Sequence, residues 1–229
     1  MATISVGIYG NDPASLDILA ALQANAVLLY ESGNDLAGTI RSQYPSITIF
    51  ARKFYDAPVQ RQMILDIMAI SDPATRSATA MARGGAIADE TNQRSGGQAN
   101  VLQSLNEAIS GLDSIAFLEA YRDLELGFIA QCHALGKAAM SLNISMGNFS
   151  QGQAPILVFR PVLEQADYIG YGTYTKHNVR AMTGQQSAYE MRWLTFAQEC
   201  EAAGIRPRWV AREALHEPGW RTWLPEAQM

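Results

Sequence analysis

Short apolar runs alternate along the chain with longer segments whose apolar residues recur every three to four positions. The short runs are typical of buried β-strands, and the longer pattern is typical of amphipathic helices. The β-type runs occupy residues 4–10, 26–32, 47–54, 101–108, 137–147, 166–175 and 206–215. Helical patterns lie between them, over residues 12–25, 34–43, 58–70, 74–90, 114–135, 155–165 and 187–203. The pattern predicts seven strands joined by helical crossovers.

Strands that alternate with helices form a parallel sheet, which either closes as a (β/α)8 barrel or stays open as a doubly wound sheet. An open dinucleotide-binding sheet would carry a G-x-G-x-x-G turn after its first strand. The segment at that place, GIYGNDPASL, lacks this motif. We therefore predict a TIM (β/α)8-type barrel.

The predicted barrel is incomplete. After the seventh run only HEPGWRTWLPEAQM remains, which is too short for a helix and another strand. An open barrel would expose the edges of strands 1 and 7, so we interpret the C-terminal unit as truncated. Residues 1–229 are then a single barrel domain that is incomplete at its C-terminus, and the length and the 48% hydrophobic content suit a substantial core.

Composition and charge exclude several classes of partner. The net charge is −5 and the Lys and Arg residues are scattered, which argues against nucleic acid. The start, MATISVGIYGND, lacks the features of a signal peptide, and no apolar run could cross a membrane. We expect a soluble chain, cytoplasmic or exported as part of a longer protein. Cys132 and Cys200 are predicted core residues, and no spacing indicates a metal site.

Polar residues stand where two predicted strands end. Asn106 and Glu107 end the fourth run, and Glu213 lies near the end of the seventh. A (β/α)8 barrel takes its functional groups from the C-terminal ends of its strands, and strands four and seven face each other across its mouth. Two opposed carboxylates are the groups required for glycosidic bond cleavage, one as acid and one as nucleophile.

The ordered set of an Asn-Glu pair at strand four, a tyrosine-rich sixth strand and a Glu at strand seven resembles the clan A (β/α)8 glycoside hydrolases. The resemblance implies that Glu107 is the general acid/base and Glu213 the nucleophile. It also implies that Asn106 binds the sugar hydroxyl beside the anomeric centre and that Tyr174 hydrogen-bonds the nucleophile. The mechanism requires no metal and no cofactor.

Three further residues are candidates for substrate binding. Arg52, near the end of the third run, is predicted to hydrogen-bond or pair with the nucleophile carboxylate. The turn after strand five places Asn148 at the barrel mouth, and Trp220 follows Glu213 where an aromatic ring can stack on a sugar face. The structural alternatives are that the Asn-Glu pair caps a helix and that an arginine neutralises Glu213.

The sequence thus predicts a retaining glycoside hydrolase acting on an oligo- or polysaccharide. The alternative is a catalytically inactive barrel that serves as a glycan-binding or structural module, because Gly172 replaces a polar residue, Arg212 precedes Glu213 and the eighth strand is absent. A phosphate-binding barrel would need Gly-rich loops after strands seven and eight. The Gly-Gly pairs at 84–85 and 96–97 lack the lysine of a P-loop and are interpreted as flexible loops.

Overall fold

The computed structural model describes residues 5–8, 11–106, 108–109, 113–144, 156–172 and 192–212. Its strands are β1 (Ser5–Ile8), β2 (Ala26–Tyr30), β3 (Thr48–Arg52), β4 (Val101–Gln103), β5 (Ala138–Ile144), β6 (Tyr168–Gly172) and β7 (Trp209–Arg212). Its α-helices are α1 (Ser15–Ala21), α2 (Ala37–Gln43), α3 (Ala57–Met68), α4 (Pro73–Arg94), α5 (Ile115–Ala134), α6 (Ile156–Gln165) and α7 (Arg192–Ala202), and a 3₁₀ segment, Glu31–Leu36, precedes α2. Each predicted β-run contains one of these strands.

The seven strands form one sheet in the order of the chain. Every strand pairs in parallel with the next, from β1 to β7. Parallel neighbours joined by right-handed crossovers place all their helices on the same face of the sheet, whereas a doubly wound sheet reverses its order and takes helices on both faces. The sequential order therefore confirms the barrel-type arrangement and rules out the doubly wound one.

The two faces of the sheet pack into separate apolar clusters. Val27, Leu29, Ile49 and Ala51 belong to the large core shared with the helices. The alternate residues form a smaller cluster on the other face: Ala26, Phe50, Val101 and Met140, with the partly buried Leu28, Ala138, Tyr168 and Val210 packed against them. Successive strand residues point to opposite faces, so the second cluster is the inner face of the sheet.

The sheet is strongly curled about this inner face. The rings of Phe50 on β3 and Tyr168 on β6 meet edge to face, with centroids 5.7 Å apart. These strands are three positions apart, which corresponds to about 14 Å in a flat sheet. Inward curvature alone brings the two rings into contact. The described strands thus form an incomplete (β/α) barrel, in which β1 and β7 are not paired with each other.

Two details differ from the sequence-based expectations. Strand β4 ends at Gln103, so Asn106 lies three residues beyond the strand and not at its end. The Gly84–Gly85 pair lies inside α4, so its interpretation as a flexible loop was wrong. Gly84 is needed because α4 packs there against the backbone of α5, with no room for a Cβ atom. Gly96 and Gly97 do form a turn after α4, with φ angles of 58° and 73° that favour glycine.

Cys132 in α5 and Cys200 in α7 are both buried, which confirms them as core residues. Among the helices that the structure describes, none combines the length and the apolar character needed to cross a bilayer.

Candidate functional site

Three long side chains lie side by side at the C-terminal edge of the sheet. Tyr30 pairs in register with Arg52, and Arg52 pairs with Gln103. Arg52 comes two residues after Phe50, and Gln103 two residues after Val101, so both share the inner face with these apolar residues. This edge is where (β/α) barrels carry their functional groups. We therefore take it as the candidate site.

Arg52 is held in place by aromatic rings. Its side chain is almost fully buried, with 2% of its surface exposed. The guanidinium carbon lies 4.3 Å from the centre of the Tyr30 ring and 5.8 Å from that of Phe54. A guanidinium over a ring face is attracted by the ring quadrupole and stays charged. The inner face thus carries a fixed positive charge, while pairing of Arg52 with Glu213 stays a prediction.

Gln60 fixes the chain that follows β4. The backbone N–H of Asn106 donates to Gln60 Oε1 at 2.7 Å, and Gln60 Nε2 donates to the carbonyl of Tyr55 at 2.6 Å. Gln60 is a buried residue of α3. Its side chain therefore ties the loop after β3 to the loop after β4, and it positions the half-buried Asn106 at the edge of the barrel.

The other predicted site residues lie outside the described part of the chain. Glu107 directly follows Asn106, and Glu213 directly follows Arg212, the last residue of β7. Tyr174, Asn148 and Trp220 also lie outside it. Of the predicted set, the structure therefore places Arg52 and Asn106 at the C-terminal edge of the sheet.

A buried polar network supports the same edge from the helix side. Ser104 Oγ donates to Glu125 Oε1 of α5 at 2.8 Å, and the N–H of Leu142 donates to Glu125 Oε2 at 3.4 Å. Asn143 Nδ2 donates to Ser104 Oγ at 3.0 Å and to the carbonyl of Leu105 at 2.9 Å. These bonds hold the two residues that precede Asn106, so α5 and β5 together fix the direction of the loop after β4.

The network coincides with an irregularity in β5. Leu142 and Asn143 have φ angles of 63° and 31°, in the left-handed region, and the register with β6 shifts between Ser141 and Ile144. A non-glycine residue in this region costs on the order of 1–3 kcal/mol. The Asn143 and Glu125 hydrogen bonds offset part of that cost and turn the Asn143 amide toward β4.

Burial changes the acidity of Glu125. The side chain has no exposed surface, and desolvation raises the pKa of Glu125 from 4.5 to about 7. Hydrogen bonds from Tyr121, Ser104, Ser141 and the backbone of Leu142 favour the charged form and limit the rise. The native state therefore binds the proton of Glu125 more tightly than the unfolded chain does.

We predict a pH-dependent effect of Glu125→Gln on stability. The stabilisation linked to the Glu125 proton is fully present below about pH 4.5 and is lost as the pH rises through about 7. Glutamine carries no such proton. The free energy of unfolding of the variant, relative to that of the wild type, should therefore rise by roughly 2 kcal/mol from pH 5 to pH 8. Urea unfolding at both pH values measures this difference.

The control for this experiment is Glu119→Gln, an exchange on the exposed side of the same helix. It removes an exposed carboxylate from the same helix, so its effect on the free energy of unfolding at each pH is the reference for Glu125→Gln. Glu125→Gln also replaces one acceptor oxygen by an NH₂ group, which changes stability at every pH, so only the pH-dependent part is diagnostic. An effect of Glu125→Gln that is the same at pH 5 and pH 8 would contradict the prediction.

A second polar cluster lies outside the barrel. Lys53 and Tyr55 both donate hydrogen bonds to Glu90 Oε2 on α4. The bond from Lys53 is the main reason why the pKa of Glu90 lies below its usual value, whereas burial, and then Glu90 itself, raises the pKa of Tyr55. The side chains of Lys53 and Glu90 are each more than one third exposed to solvent. We assign this cluster a structural role, because it ties the loop after β3 to α4.

Sequence reasoning missed Gln60, Gln103, Glu125 and Asn143. Glu125 carried a readable signal, because it lies four residues from Tyr121 and from Ile129 in the buried stripe of α5. Gln60 stands likewise four residues before the buried Ile64 in α3. A polar residue at an apolar position of a helix indicates a buried partner. Gln103 and Asn143 carry no such signal, since their surroundings depend on the pairing of the strands.

Comparison with known proteins adds little information about the function of the chain. No model of a known protein family matches the chain, and no curated protein matches it. Among solved structures, the chain is similar to a xylose isomerase domain protein from Planctomyces limnophilus, with 13% sequence identity and a TM-score of 0.43. The match covers 91% of this chain and 90% of that chain. The strand order and the curled inner face, rather than this likeness, identify the fold as an incomplete (β/α) barrel.

Proposed function

We propose that the protein is a retaining glycoside hydrolase with Glu107 as general acid/base and Glu213 as nucleophile. The observation that supports it most is the contact of Phe50 and Tyr168 across the inner face, with ring centroids 5.7 Å apart. It joins strands three positions apart in the sheet. Strands β4 and β7 are separated by the same number of positions. Glu213 directly follows β7, and Glu107 comes four residues after the end of β4.

The proposed reaction has two steps. Glu213 attacks the anomeric carbon while Glu107 gives its proton to the leaving oxygen, so the glycosidic bond breaks as the glycosyl-enzyme ester forms. Glu107 then takes a proton from water, whose oxygen attacks the anomeric carbon and releases Glu213. Two inversions give net retention of configuration. This chemistry requires no metal and no cofactor.

The residues around the two glutamates have positioning roles in this proposal. The guanidinium of Arg52, held over Tyr30, favours the ionised form of a nearby carboxylate. Asn106, held through its backbone by Gln60, binds the sugar hydroxyl beside the anomeric centre. Tyr174 hydrogen-bonds the nucleophile, and Asn148 and Trp220 complete the binding of a carbohydrate substrate.

The proposal is tested by the stereochemistry of turnover. Cellotetraose, xylotetraose and mannotetraose are incubated with the full chain, and early products are followed by ¹H NMR of the anomeric protons. We expect release of a product with the same anomeric configuration as the substrate. A product of opposite configuration would replace the nucleophile role of Glu213 by that of a base. Absence of turnover on a broad polysaccharide panel would overturn the glycosidase assignment.

A second candidate is an inactive barrel that binds glycan, as a module of a larger protein. It is favoured by the end of β6, where Gly172 pairs in register with Arg212 and offers no side chain to a nucleophile. This candidate predicts saturable glycan binding without turnover. Measurable hydrolysis that depends on Glu213 would exclude it.

A further inference from the structure

Gln103 is a fully buried polar residue on the inner face of the sheet. It is the last residue of β4 and has no exposed surface. In the sheet it stands between Arg52 of β3 and Met140 of β5. Of its inner-face neighbours, Val101 and Met140 are apolar and Arg52 is charged. Neither Oε1 nor Nε2 of Gln103 has a hydrogen-bond partner among the described residues.

Burying the Gln103 amide in this way lowers the stability of the folded protein. A buried amide without partners loses its hydrogen bonds to water and gains none in return. Ser104 donates a hydrogen bond to Glu125 and Asn143 donates one to Ser104, so these two buried side chains each have a described partner. Methionine or leucine at position 103 would fill the same space without that loss. The amide is therefore better explained by a partner that joins the protein from outside.

We propose that the amide of Gln103 binds a hydroxyl group of a neutral sugar at the floor of the barrel mouth. The inference rests on the proposed function and specifies the chemistry of its substrate. A hydroxyl accepts a hydrogen bond from Nε2 and donates one to Oε1, so it satisfies both halves of the amide. A carboxylate or a fully ionised phosphate only accepts, and would leave Oε1 facing another acceptor.

The neighbouring residues suit the same ligand. Gln103 is adjacent in register to Arg52, whose guanidinium stacks on Tyr30 and presents only donors. Gln103 therefore lies beside a charged group, and its own amide supplies a donor and an acceptor to a hydroxyl group of a sugar ring. Because Gln103 has no exposed surface, the ligand reaches the amide only after neighbouring side chains move.

The test measures binding of xylotetraose, cellotetraose and mannotetraose by the full chain carrying Glu213→Gln, which prevents turnover under the proposed mechanism. Gln103→Met in this background removes the amide at nearly constant volume. We expect its Kd for the bound tetraose to rise about tenfold, the loss that corresponds to one or two hydrogen bonds. Gln93→Met, on the exposed side of α4, is the matched control and should leave Kd unchanged.

Two readouts separate this role from a purely structural one. The melting temperature of Gln103→Met should equal or exceed that of the parent, since an unsatisfied amide is removed; Gln103→Leu serves if the methionine variant does not fold. The side-chain ¹H–¹⁵N signals of Gln103, identified by their loss in the variant, should shift when the tetraose is added. An amide that merely holds a buried water would give no shift and an unchanged Kd, which would overturn the inference.

The outcome is independent of whether hydrolysis occurs. Gln103-dependent binding by a chain that never hydrolyses glycans would sustain the inference and reject the glycosidase. Hydrolysis with the same kcat/KM in wild type and Gln103→Met would sustain the glycosidase and reject the inference. No saturable binding of any of the three tetraoses would also reject it.

Discussion

Glu213→Gln is expected to lower kcat for oligosaccharide hydrolysis by at least about 10⁴-fold, because the exchange removes the nucleophile and with it the covalent intermediate. Glutamine has the same shape as glutamate, so the melting temperature should change little. Single-turnover and steady-state hydrolysis of the tetraose identified in the substrate screen measure the loss. Normal hydrolysis by Glu213→Gln would remove Glu213 from the mechanism.

Two further variants separate the role of the nucleophile from that of the general acid and from a non-specific effect of losing a carboxylate. Glu107→Gln is expected to lower kcat by about 10²–10⁴-fold on an oligosaccharide, since the leaving oxygen then departs without a proton. An aryl glycoside with a strongly acidic phenol leaves without that proton, so its first step should be nearly unaffected in Glu107→Gln and still lost in Glu213→Gln. Glu119→Gln, exposed on α5, should hydrolyse both substrates at the wild-type rate.

The fold was predictable from the sequence because the parallel strands are buried on both faces. Strand Ala26–Tyr30 therefore appears as a continuous apolar run, and Thr48–Arg52 has three consecutive apolar residues at its centre. The long segments between the strands carry helical periodicity. Boundaries were less predictable. The apolar run that begins at Val101 continues in the sequence, but the strand ends at Gln103, where Ser104 begins to bond Glu125 instead of extending the inner face.

The candidate site was predictable only where it depends on position along a strand. Arg52 was identified because it ends a strand, and the structure places it on the inner face beside Tyr30. The residues that support the site were not identified, because their contacts are with residues that are distant in the sequence. Asn143, for example, donates a hydrogen bond to the Leu105 carbonyl only because the backbone of β5 takes the left-handed conformation at this residue.

The Gly84–Gly85 pair is the clearest case of a feature that depends on contacts distant in sequence. Helices α4 and α5 cross so closely that a Cβ at Gly84 would lie 1.9 Å from the carbonyl oxygen of Leu124 and 2.7 Å from the nitrogen of Phe128. A Cβ at Gly127 would lie 2.0 Å from the carbonyl oxygen of Met81. Each helix thus presents a glycine to the backbone of the other, and a backbone contact cannot be relieved by a change of rotamer.

We expect Gly84→Ala to destabilise the protein by about 3 kcal/mol or more, because the two helices must separate and lose their packing. For a chain of this size the melting temperature should fall by roughly 6–12 °C. Gly127→Ala should act in the same direction, since it meets the backbone of α4. Thermal unfolding followed by circular dichroism measures both effects.

Gly85→Ala is the matched control, one residue further along the same helix. Its added Cβ would meet Gln131 Cβ at 3.7 Å, an ordinary van der Waals contact. Alanine is favoured over glycine in a helix interior by about 1 kcal/mol, so Gly85→Ala should raise the melting temperature. Two neighbouring glycines are thus expected to respond to the same exchange with opposite signs. Equal responses would mean that glycine is needed at 84 for reasons other than the close crossing of α4 and α5.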